Sequence, residues 1–423
     1  MLKRFFASAS PRRGPQAIRK KYFRNFTKGK YNLLSILMFK NILLIIFGLG
    51  CGIIGSVYVL TNYTSLFPGT NRLLTPLGLQ KPTVIGFLPY WLLAKDNKDY
   101  SPYLDTVSYF GLTVDADGTI EKFTNPGETE PGWLTLKSKK IKSILETSKE
   151  KNLNRSLVIF NGNQEKIGRL MENPEKHAQN LVNEVSPILT KYGFTDLNLD
   201  IESVSTASDS ARQNFTLFTK TIHEELKKRH DLITLSIDVS PTALIKKYLI
   251  DVGKISSYVD KVILMTYDFH YQGSSVTGAV APVNGAGRSA EFDTETSIKE
   301  ALKILPAEKI IMGVPLYGYE WETLSDYPQA AIIPGSGITA SNKRVEELLT
   351  KCSSCSAKFD PVSLEAYVIY QDQETNTFHQ IFYPDKKVMQ EKIKLVNKYR
   401  LGGMALWALG YEGKNILDPL IDL

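Results

Sequence analysis

The sequence predicts an α/β fold, a (β/α)8 TIM barrel, because short apolar runs alternate with amphipathic, helix-like segments along most of the chain. Eight such runs are present, and eight strand–helix units close a parallel sheet into a barrel. The runs span residues 83–87, 106–112, 156–160, 196–202, 233–239, 261–267, 310–316 and 404–408. The helix-like segments between several of them span residues 136–151, 174–192, 207–230, 295–305 and 386–399.

The segment after the first run argues against an open doubly wound sheet, the alternative arrangement of alternating strands and helices. Such a sheet normally carries a glycine-rich phosphate turn directly after its first strand. Here the first run is followed by Leu88, Pro89, Tyr90 and Trp91. A closed barrel is therefore the predicted arrangement.

The interval between the seventh and eighth runs is too long for one helix. Within residues 321–384, a helix-like segment at 343–351 precedes two alternating, strand-like segments at 366–371 and 378–383. We predict a small α+β insertion after the seventh strand. In a barrel, an insertion at this point stands on the catalytic face and can wall a groove.

Positive charge is concentrated at the N-terminus. Residues 1–40 contain eleven lysines and arginines and no acidic residue, although the 423-residue chain has a formal charge of only +7. The remainder of the chain is therefore net acidic. Because binding to nucleic acid depends on neutralising phosphates with basic side chains, no nucleic-acid partner is expected for the barrel.

An uncharged apolar run, residues 42–60, follows this basic segment. It is long enough to span a bilayer, and it begins too late and runs too long for a cleavable signal peptide. We predict a cytoplasmic tail (1–40), a transmembrane anchor (41–62), a linker (63–81) and a barrel (82–423) outside the cytoplasm, because positive charge stays on the cytoplasmic side. A buried core helix is the alternative for the apolar run.

Cysteine use indicates neither a metal site nor a cofactor. Cys352 and Cys355 form an isolated CSSC sequence, with no further histidine or cysteine close by in the sequence to complete a zinc site. A small disulfide and two unpaired thiols are both compatible with this spacing.

A polar ladder in the fourth run is the main chemical signal. Strand side chains alternate between two faces, so Asp196, Asn198, Asp200 and Glu202 share one face, opposite a purely aliphatic one. Burying carboxylates is costly unless they are paired or used, which favours a functional site over the alternative of a solvated edge strand. Two close carboxyls cannot both ionise freely, so we expect Glu202 to stay protonated as a proton donor, with Asp200 as its electrostatic partner.

This segment resembles the D-G-x-D-x-D-x-E signature of glycoside hydrolase family 18. Asp200 and Glu202 match its last two acids, Asn198 falls on the acid before them, and Asp196 and Thr195 replace the glycine and the first acid. Residues 86–91 (GFLPYW), 265–268 (MTYD), 313–318 (GVPLYG) and 402–407 (GGMALW) resemble the family's first, sixth, seventh and eighth strands. The style of these strands is most similar to bacterial spore-cortex and cell-wall members.

The resemblance implies a retaining, substrate-assisted glycosidase that cleaves β-1,4 bonds next to N-acetylated amino sugars in peptidoglycan or a chitin-like glycan. Glu202 would protonate the glycosidic oxygen, while Asp200 and Tyr267 would bind the substrate's acetamido group. The expected substrate-binding residues are Asn198, Asp268, Trp407, Tyr317, Trp91 and Trp321. His270 is left without a role, and a catalytically weak, lectin-like glycan-binding barrel is the alternative function.

Overall fold

Fifteen strands and nine α-helices form within residues 81–93, 98–288 and 290–423, the parts of the chain that this computed structural model describes. The strands are β1 (Thr83–Pro89), β2 (Thr106–Thr113), β3 (Phe123–Asn125), β4 (Glu128–Thr129), β5 (Asn154–Asn161), β6 (Asp196–Ile201), β7 (Thr234–Val239), β8 (Lys261–Leu264), β9 (Ile310–Pro315), β10 (Tyr317–Thr323), β11 (Ile338–Ser341), β12 (Lys358–Asp360), β13 (Glu365–Gln371), β14 (Phe378–Tyr383) and β15 (Gly403–Trp407). The helices are α1 (Pro131–Leu136), α2 (Lys139–Glu150), α3 (Gln164–Leu170), α4 (Pro174–Tyr192), α5 (Asp209–Arg229), α6 (Val252–Ile255), α7 (Thr294–Leu302), α8 (Asn342–Lys351) and α9 (Lys386–Tyr399).

Eight of the strands close into a parallel barrel in the order β1–β2–β5–β6–β7–β8–β9–β15, with β15 pairing back to β1. These are the eight predicted apolar runs, so the predicted barrel is confirmed. Each run reads as a strand because its apolar side chains are excluded from water on at least one face. The helices α4 and α9 begin and end at the predicted residues.

The alternation within β6 sets its two faces in opposite environments. Leu197, Leu199 and Ile201 join the large apolar cluster that also holds Phe215 and Phe218 of α5. The polar side chains of the same strand therefore point into the barrel, as predicted from the period of two. The aliphatic face packs against the surrounding helices, and the inward face is available for polar, catalytic side chains.

The barrel interior is apolar on one side and polar on the other. A cluster that includes Ile85, Phe87, Phe110 and Val158 fills the apolar side. The polar side is formed by β6 and β7, where buried acids, an amide and hydroxyls replace aliphatic residues. On this side, Ser156 donates a hydrogen bond to Asp196 and Asn198 donates one to Asp238, as buried acceptors require.

The insertion is a five-stranded antiparallel sheet in the order β11–β10–β14–β13–β12, with α8 among its elements. Its first strand begins at Tyr317, so the predicted start at residue 321 was four positions too late. Only Leu316 separates β9, the seventh barrel strand, from this one, so the sequence offers no loop between the barrel and the insertion.

The two cysteines Cys352 and Cys355 are joined by a disulfide just beyond α8, which decides between the two states that the sequence left open. No helix among the described residues is both long and apolar enough to cross a bilayer. The predicted tail (1–40) and anchor (41–62), together with the linker up to residue 80, lie outside the described residues.

Candidate active site

Two adjoining depressions open where the barrel strands end at their carboxyl termini. One, of about 920 Å³, is lined by aromatic side chains, and the other, of about 1340 Å³, is lined largely by loops after β7 and β8. Both include Glu202, Asp238, Tyr267 and Asp268 in their walls. The groove therefore extends to both sides of the predicted proton donor, at the end of the barrel where such enzymes carry their sites.

Glu202 follows the last residue of β6 and is held in place through its backbone. Its N–H donates to the carbonyl of Asn161 at 2.9 Å, and its carbonyl accepts from the side-chain amide of Gln164 at 2.8 Å. Partial burial, and then the negative charge of Asp268, raises the pKa of the Glu202 carboxyl. A carboxylic acid kept protonated in this way can donate a proton to a leaving oxygen.

Asp200 lies deeper in the same pocket and is buried. Burial, followed by the negative charges of Asp238 and Glu202, raises its pKa well above the ordinary value. Its Oδ1 atom has no hydrogen-bond partner among the described residues. A buried acceptor without a partner is a group available to a ligand.

Tyr267 lies beyond the end of β8 and contributes to the walls of both depressions. A side chain at Gly313 of β9 would lie 2.5 Å from the carbonyl of Leu264 and 3.0 Å from Cε1 of Tyr267, so glycine leaves the space that the tyrosine ring occupies. Burial, with smaller contributions from the surrounding carboxylates, raises the pKa of Tyr267 far above its usual range. Its hydroxyl therefore remains a hydrogen-bond donor at all physiological pH values.

Asp268 is held by two tyrosines of the insertion sheet. The hydroxyl of Tyr317 donates to its Oδ1 at 2.5 Å and that of Tyr319 to the same atom at 3.2 Å. Burial raises the pKa of Asp268, whereas these hydrogen bonds lower it. Tyr317 was expected to contact substrate, but it is buried behind Asp268 and absent from the groove walls, so its direct contact is with that carboxylate.

Aromatic rings form one wall of the smaller depression. Trp407 lies within 4.9 Å of Phe110 and 6.4 Å of Trp91, measured between ring centroids. Trp91 is 49% exposed, so much of its ring is open to the groove. Aromatic faces in a groove suit the stacking of sugar rings, and the contacts of Trp407 and Trp91 with substrate stay predictions.

Trp321 does not reach the groove. It is 0% exposed and packs with Tyr319 and Phe382 in the core of the insertion. The expectation that it lines the substrate groove is therefore corrected. Trp321 lies on strand β10, which is buried on both faces. The sequence alone did not show that the second face is also buried.

Asn198 also lies away from the groove, one step below Asp200 on β6. It lines a separate polar cavity toward the amino ends of the strands and donates from Nδ2 to Asp238 Oδ1 at 3.0 Å. The predicted direct contact between Asn198 and substrate is thus replaced by a contact with another carboxyl group. Its own Oδ1 has no partner among the described residues.

Asp196, which stands where the signature has glycine, is accommodated by hydroxyls from the neighbouring strands. Ser156 and Ser236 donate to its Oδ2 at 2.6 and 2.7 Å, and Thr234 donates to its Oδ1 at 2.6 Å. Thr195, at the first signature position, exchanges hydrogen bonds of 3.2 Å with the backbone of Arg155. Both departures from the signature are therefore satisfied structurally at the base of the barrel.

Sequence reasoning missed Asp238, which lines both depressions next to Asp200 and Glu202. A signal was present: Thr234, Ser236 and Asp238 alternate with apolar residues in the fifth run, in the pattern already recognised in the fourth. Burial, and next the charges of Glu202 and Asp196, raises the pKa of Asp238, while the hydrogen bond from Asn198 opposes this rise.

His270, left without a role by the sequence, has a structural contact. One ring nitrogen, Nδ1, lies 2.8 Å from the carbonyl of Ala279, and burial lowers its pKa. Within the described residues, no group of three or more acidic, histidine or cysteine side chains is arranged to hold a metal ion.

The groove holds a carboxylic acid with a raised pKa beside other carboxyl groups, at the carboxyl-terminal end of a (β/α)8 barrel and next to an aromatic wall. This arrangement defines an enzyme that hydrolyses glycosidic bonds. The family model described as glycosyl hydrolases family 18 matches residues 89–412. The chain therefore belongs to glycoside hydrolase family 18, and the resemblance drawn from the strand motifs is confirmed.

Individual relatives agree with this membership. A cortical fragment-lytic enzyme of Bacillus subtilis (strain 168) is 25% identical over 330 residues, which cover 74% of this chain and 66% of the relative. The crystal structure of the Bacillus cereus spore cortex-lytic enzyme SleL has a TM-score of 0.61 at 20% identity, covering 81% of this chain and 74% of its own. An Ostrinia furnacalis Group IV chitinase, solved in complex with allosamidin, has a TM-score of 0.68 at 20% identity, covering 81% and 98%. At this identity the two structures show a shared fold.

Proposed function

We propose that this enzyme cleaves β-1,4 glycosidic bonds next to an N-acetylated amino sugar, with retention of configuration and with help from the substrate's own acetamido group. The observation that carries the proposal is that Glu202, Asp200, Tyr267 and Trp407 line one pocket. A proton donor, a buried acceptor, a hydroxyl donor and an aromatic surface thus meet at one sugar position.

The first step breaks the glycosidic bond. Protonated Glu202 gives its proton to the leaving oxygen, while the carbonyl oxygen of the 2-acetamido group forms a bond to the anomeric carbon. The resulting oxazolinium ion carries a positive charge beside its N–H. Asp200, buried and with a free acceptor, can accept a hydrogen bond from this N–H and balance the charge.

The second step returns the enzyme to its starting state. Glu202, now a carboxylate, removes a proton from water, and the water oxygen attacks the anomeric carbon and displaces the acetamido oxygen. Two inversions give retention. Tyr267 donates from its hydroxyl to the acetamido carbonyl in both steps, and Trp407 supports the sugar ring.

We infer that the substrate polymer is peptidoglycan. Support comes from the cortical fragment-lytic relative and from a groove open on both sides of Glu202, which suits a long chain. The basic residues before the apolar run at 42–60 support an anchor that holds the barrel outside the cytoplasm. The disulfide between Cys352 and Cys355 supports an oxidising compartment.

The catalytic proposal is tested with the full-length chain in mild detergent. Purified peptidoglycan, chito-oligosaccharides and their de-N-acetylated forms are incubated with wild type and with Glu202→Gln, and new reducing ends are counted. We expect hydrolysis of acetylated glycan only, and a loss of at least about 10³-fold in Glu202→Gln, since the donor and base are removed together. Glu172→Gln, an exposed residue outside the groove, is the matched control.

Three results would contradict parts of the proposal. Equal rates for wild type and Glu202→Gln would remove the assigned donor, and cleavage of de-N-acetylated glycan would remove the role of the acetamido group. Binding of glycan without turnover would indicate the lectin-like alternative. The initial anomer of the product, read by NMR, tests retention directly.

The location is tested by a reporter fused after residue 70. Activity of an alkaline phosphatase reporter, which needs an oxidising compartment for its disulfides, is the expected result. Activity of a cytoplasmic reporter at the same position would contradict the anchor topology.

A further inference from the structure

The strands β6 and β7 present two polar ladders side by side inside the barrel. Their pairing runs from Asp196 beside Thr234 to Leu199 beside Ile237. The next positions in this register are Asp200 and Asp238, on strands that lie about 4.8 Å apart in a parallel sheet. Both side chains point into the barrel. Side chains two residues apart on a strand lie on the same face, and the residue two positions earlier in each strand points inward.

The two carboxyl groups share a buried environment without a countercharge. Both side chains are almost fully buried, and neither forms an ion pair within the part of the chain that the structure describes. The titratable groups that face the two carboxyls lie on β6, directly after β6, and in the segment after β8. They are Asp196, Glu202, Tyr267 and Asp268. Lys261, at the amino end of β8, lines the separate lower cavity. Two adjacent buried carboxyls in such a setting cannot both be charged.

Asn198 orients the carboxyl group of Asp238 and cannot itself take up a proton. Its Nδ2 donates to Asp238 Oδ1 at 3.0 Å and to Ser236 Oγ at 3.1 Å, so the amide orients the Asp238 carboxyl. An amide side chain can make these bonds but cannot accept a proton at neutral pH. The family signature has an acid where this chain has Asn198, and here the carboxyl group of Asp238 lies next to that position on the neighbouring strand.

We propose that Asp238 and Asp200 share a single proton, and that Asp238 is a positioning residue that sets the charge of Asp200 during the reaction. The inference deepens the proposed function and rests on it for its catalytic consequence. In the resting enzyme the pair carries one proton and one negative charge. When the oxazolinium ion forms, the proton leaves Asp200 and binds Asp238, so that the negative charge stands on Asp200 beside the positive N–H.

The first experiment measures the shared proton without any substrate. Full-length chain carrying aspartate labelled with ¹³C at the side-chain carboxyl is titrated between acidic and alkaline pH, and the infrared carbonyl band of protonated aspartate is followed. We expect this band to persist to higher pH in wild type than in either Asp238→Asn or Asp200→Asn, since each amide replaces one negative neighbour. A band that titrates at the same pH in wild type and in either variant would overturn the proposal.

The second experiment measures the catalytic consequence. Asp238→Asn should lower kcat/KM on the order of 10²-fold and change the pH dependence of the remaining activity, because Asp200 loses the group that accepts its proton. The double variant Asp238→Asn with Asn198→Asp should recover at least tenfold of this loss, since position 198 already reaches position 238. Circular dichroism and thermal unfolding of each variant confirm that the barrel is intact.

Two outcomes contradict the positioning role. Asp238→Asn with wild-type kcat/KM and pH profile would overturn it, and so would a double variant no more active than Asp238→Asn, which would indicate a merely structural contact. If wild type cleaves no amino-sugar glycan, the proposed function fails, whereas the infrared titration still decides whether the proton is shared.

Discussion

Replacing Tyr317 by phenylalanine removes one hydroxyl that donates to Asp268 Oδ1 at 2.5 Å. Tyr317 is buried, so the phenylalanine ring occupies the same space and the packing around it is kept. Asp268 retains the longer hydrogen bond from Tyr319, at 3.2 Å. The substitution therefore isolates the effect of one short, charge-assisted hydrogen bond on a carboxylate that faces Glu202.

The size of the effect follows from the strength of that bond. A hydrogen bond to a charged group contributes about 1.5–3 kcal/mol, which corresponds to about a 10- to 150-fold change in the ionisation equilibrium of Asp268. Because the hydroxyl stabilises the charged form, its loss raises the pKa of Asp268. Ionised Asp268 raises the pKa of Glu202 in the variant as it does in wild type.

This change acts on one side of the pH profile of kcat/KM. The acidic limb moves to higher pH, because Asp268 acts on the substrate in its ionised form and now loses its proton at a higher pH. The alkaline limb stays in place, because Glu202 loses its proton at pH values where Asp268 is ionised in both proteins. We therefore expect a narrower bell-shaped profile in Tyr317→Phe than in wild type.

The assay is hydrolysis of the substrate accepted by wild type, measured at closely spaced pH values. Tyr319→Phe is the matched control, since its bond to the same oxygen is longer and its removal should narrow the profile less. A profile unchanged by Tyr317→Phe, or narrowed more by Tyr319→Phe, would refute the reasoning.

Four further variants separate binding, charge and packing. Trp407→Ala should raise KM at least tenfold in the same assay and lose less free energy of unfolding than Trp321→Ala. Trp321→Ala should lose about 3–5 kcal/mol in urea unfolding and keep a KM near that of wild type. The reverse pattern would contradict the placement of the two rings. Asp200→Asn should unfold at higher urea concentration than wild type at neutral pH. The raised pKa of Asp200 means that the folded state binds more protons than the unfolded state, so wild type loses stability as pH rises above the unfolded pKa. The advantage of the variant should shrink as pH falls toward 4, and a constant difference would contradict this cause. Asp196→Ala should lose about 2–4 kcal/mol in urea unfolding, since three hydroxyls, two of them on buried serines, lose their acceptor; a loss below about 1 kcal/mol would mean that water replaces it.

Local patterns were sufficient to predict the barrel and the location of its chemistry. Apolar runs and amphipathic segments identified the eight strands and several helices, because each element's burial leaves its own period in the sequence. The alternation in residues 196–202 placed Asp200 and Glu202 on the inner face, since a strand turns successive side chains to opposite sides. The strand motifs identified the family for the same reason: they are short, local and ordered along the chain.

Contacts between elements distant in sequence were decided only by the tertiary structure. A period of two tells which face a side chain occupies, but not which strand lies beside it or what covers the outer surface. The register of β6 against β7 brings Asp238 beside Asp200, and the packing of the insertion buries Trp321 and places Tyr317 behind Asp268. These arrangements depend on strand register and on the packing of one sheet against another, which are set by the whole chain and leave no local pattern.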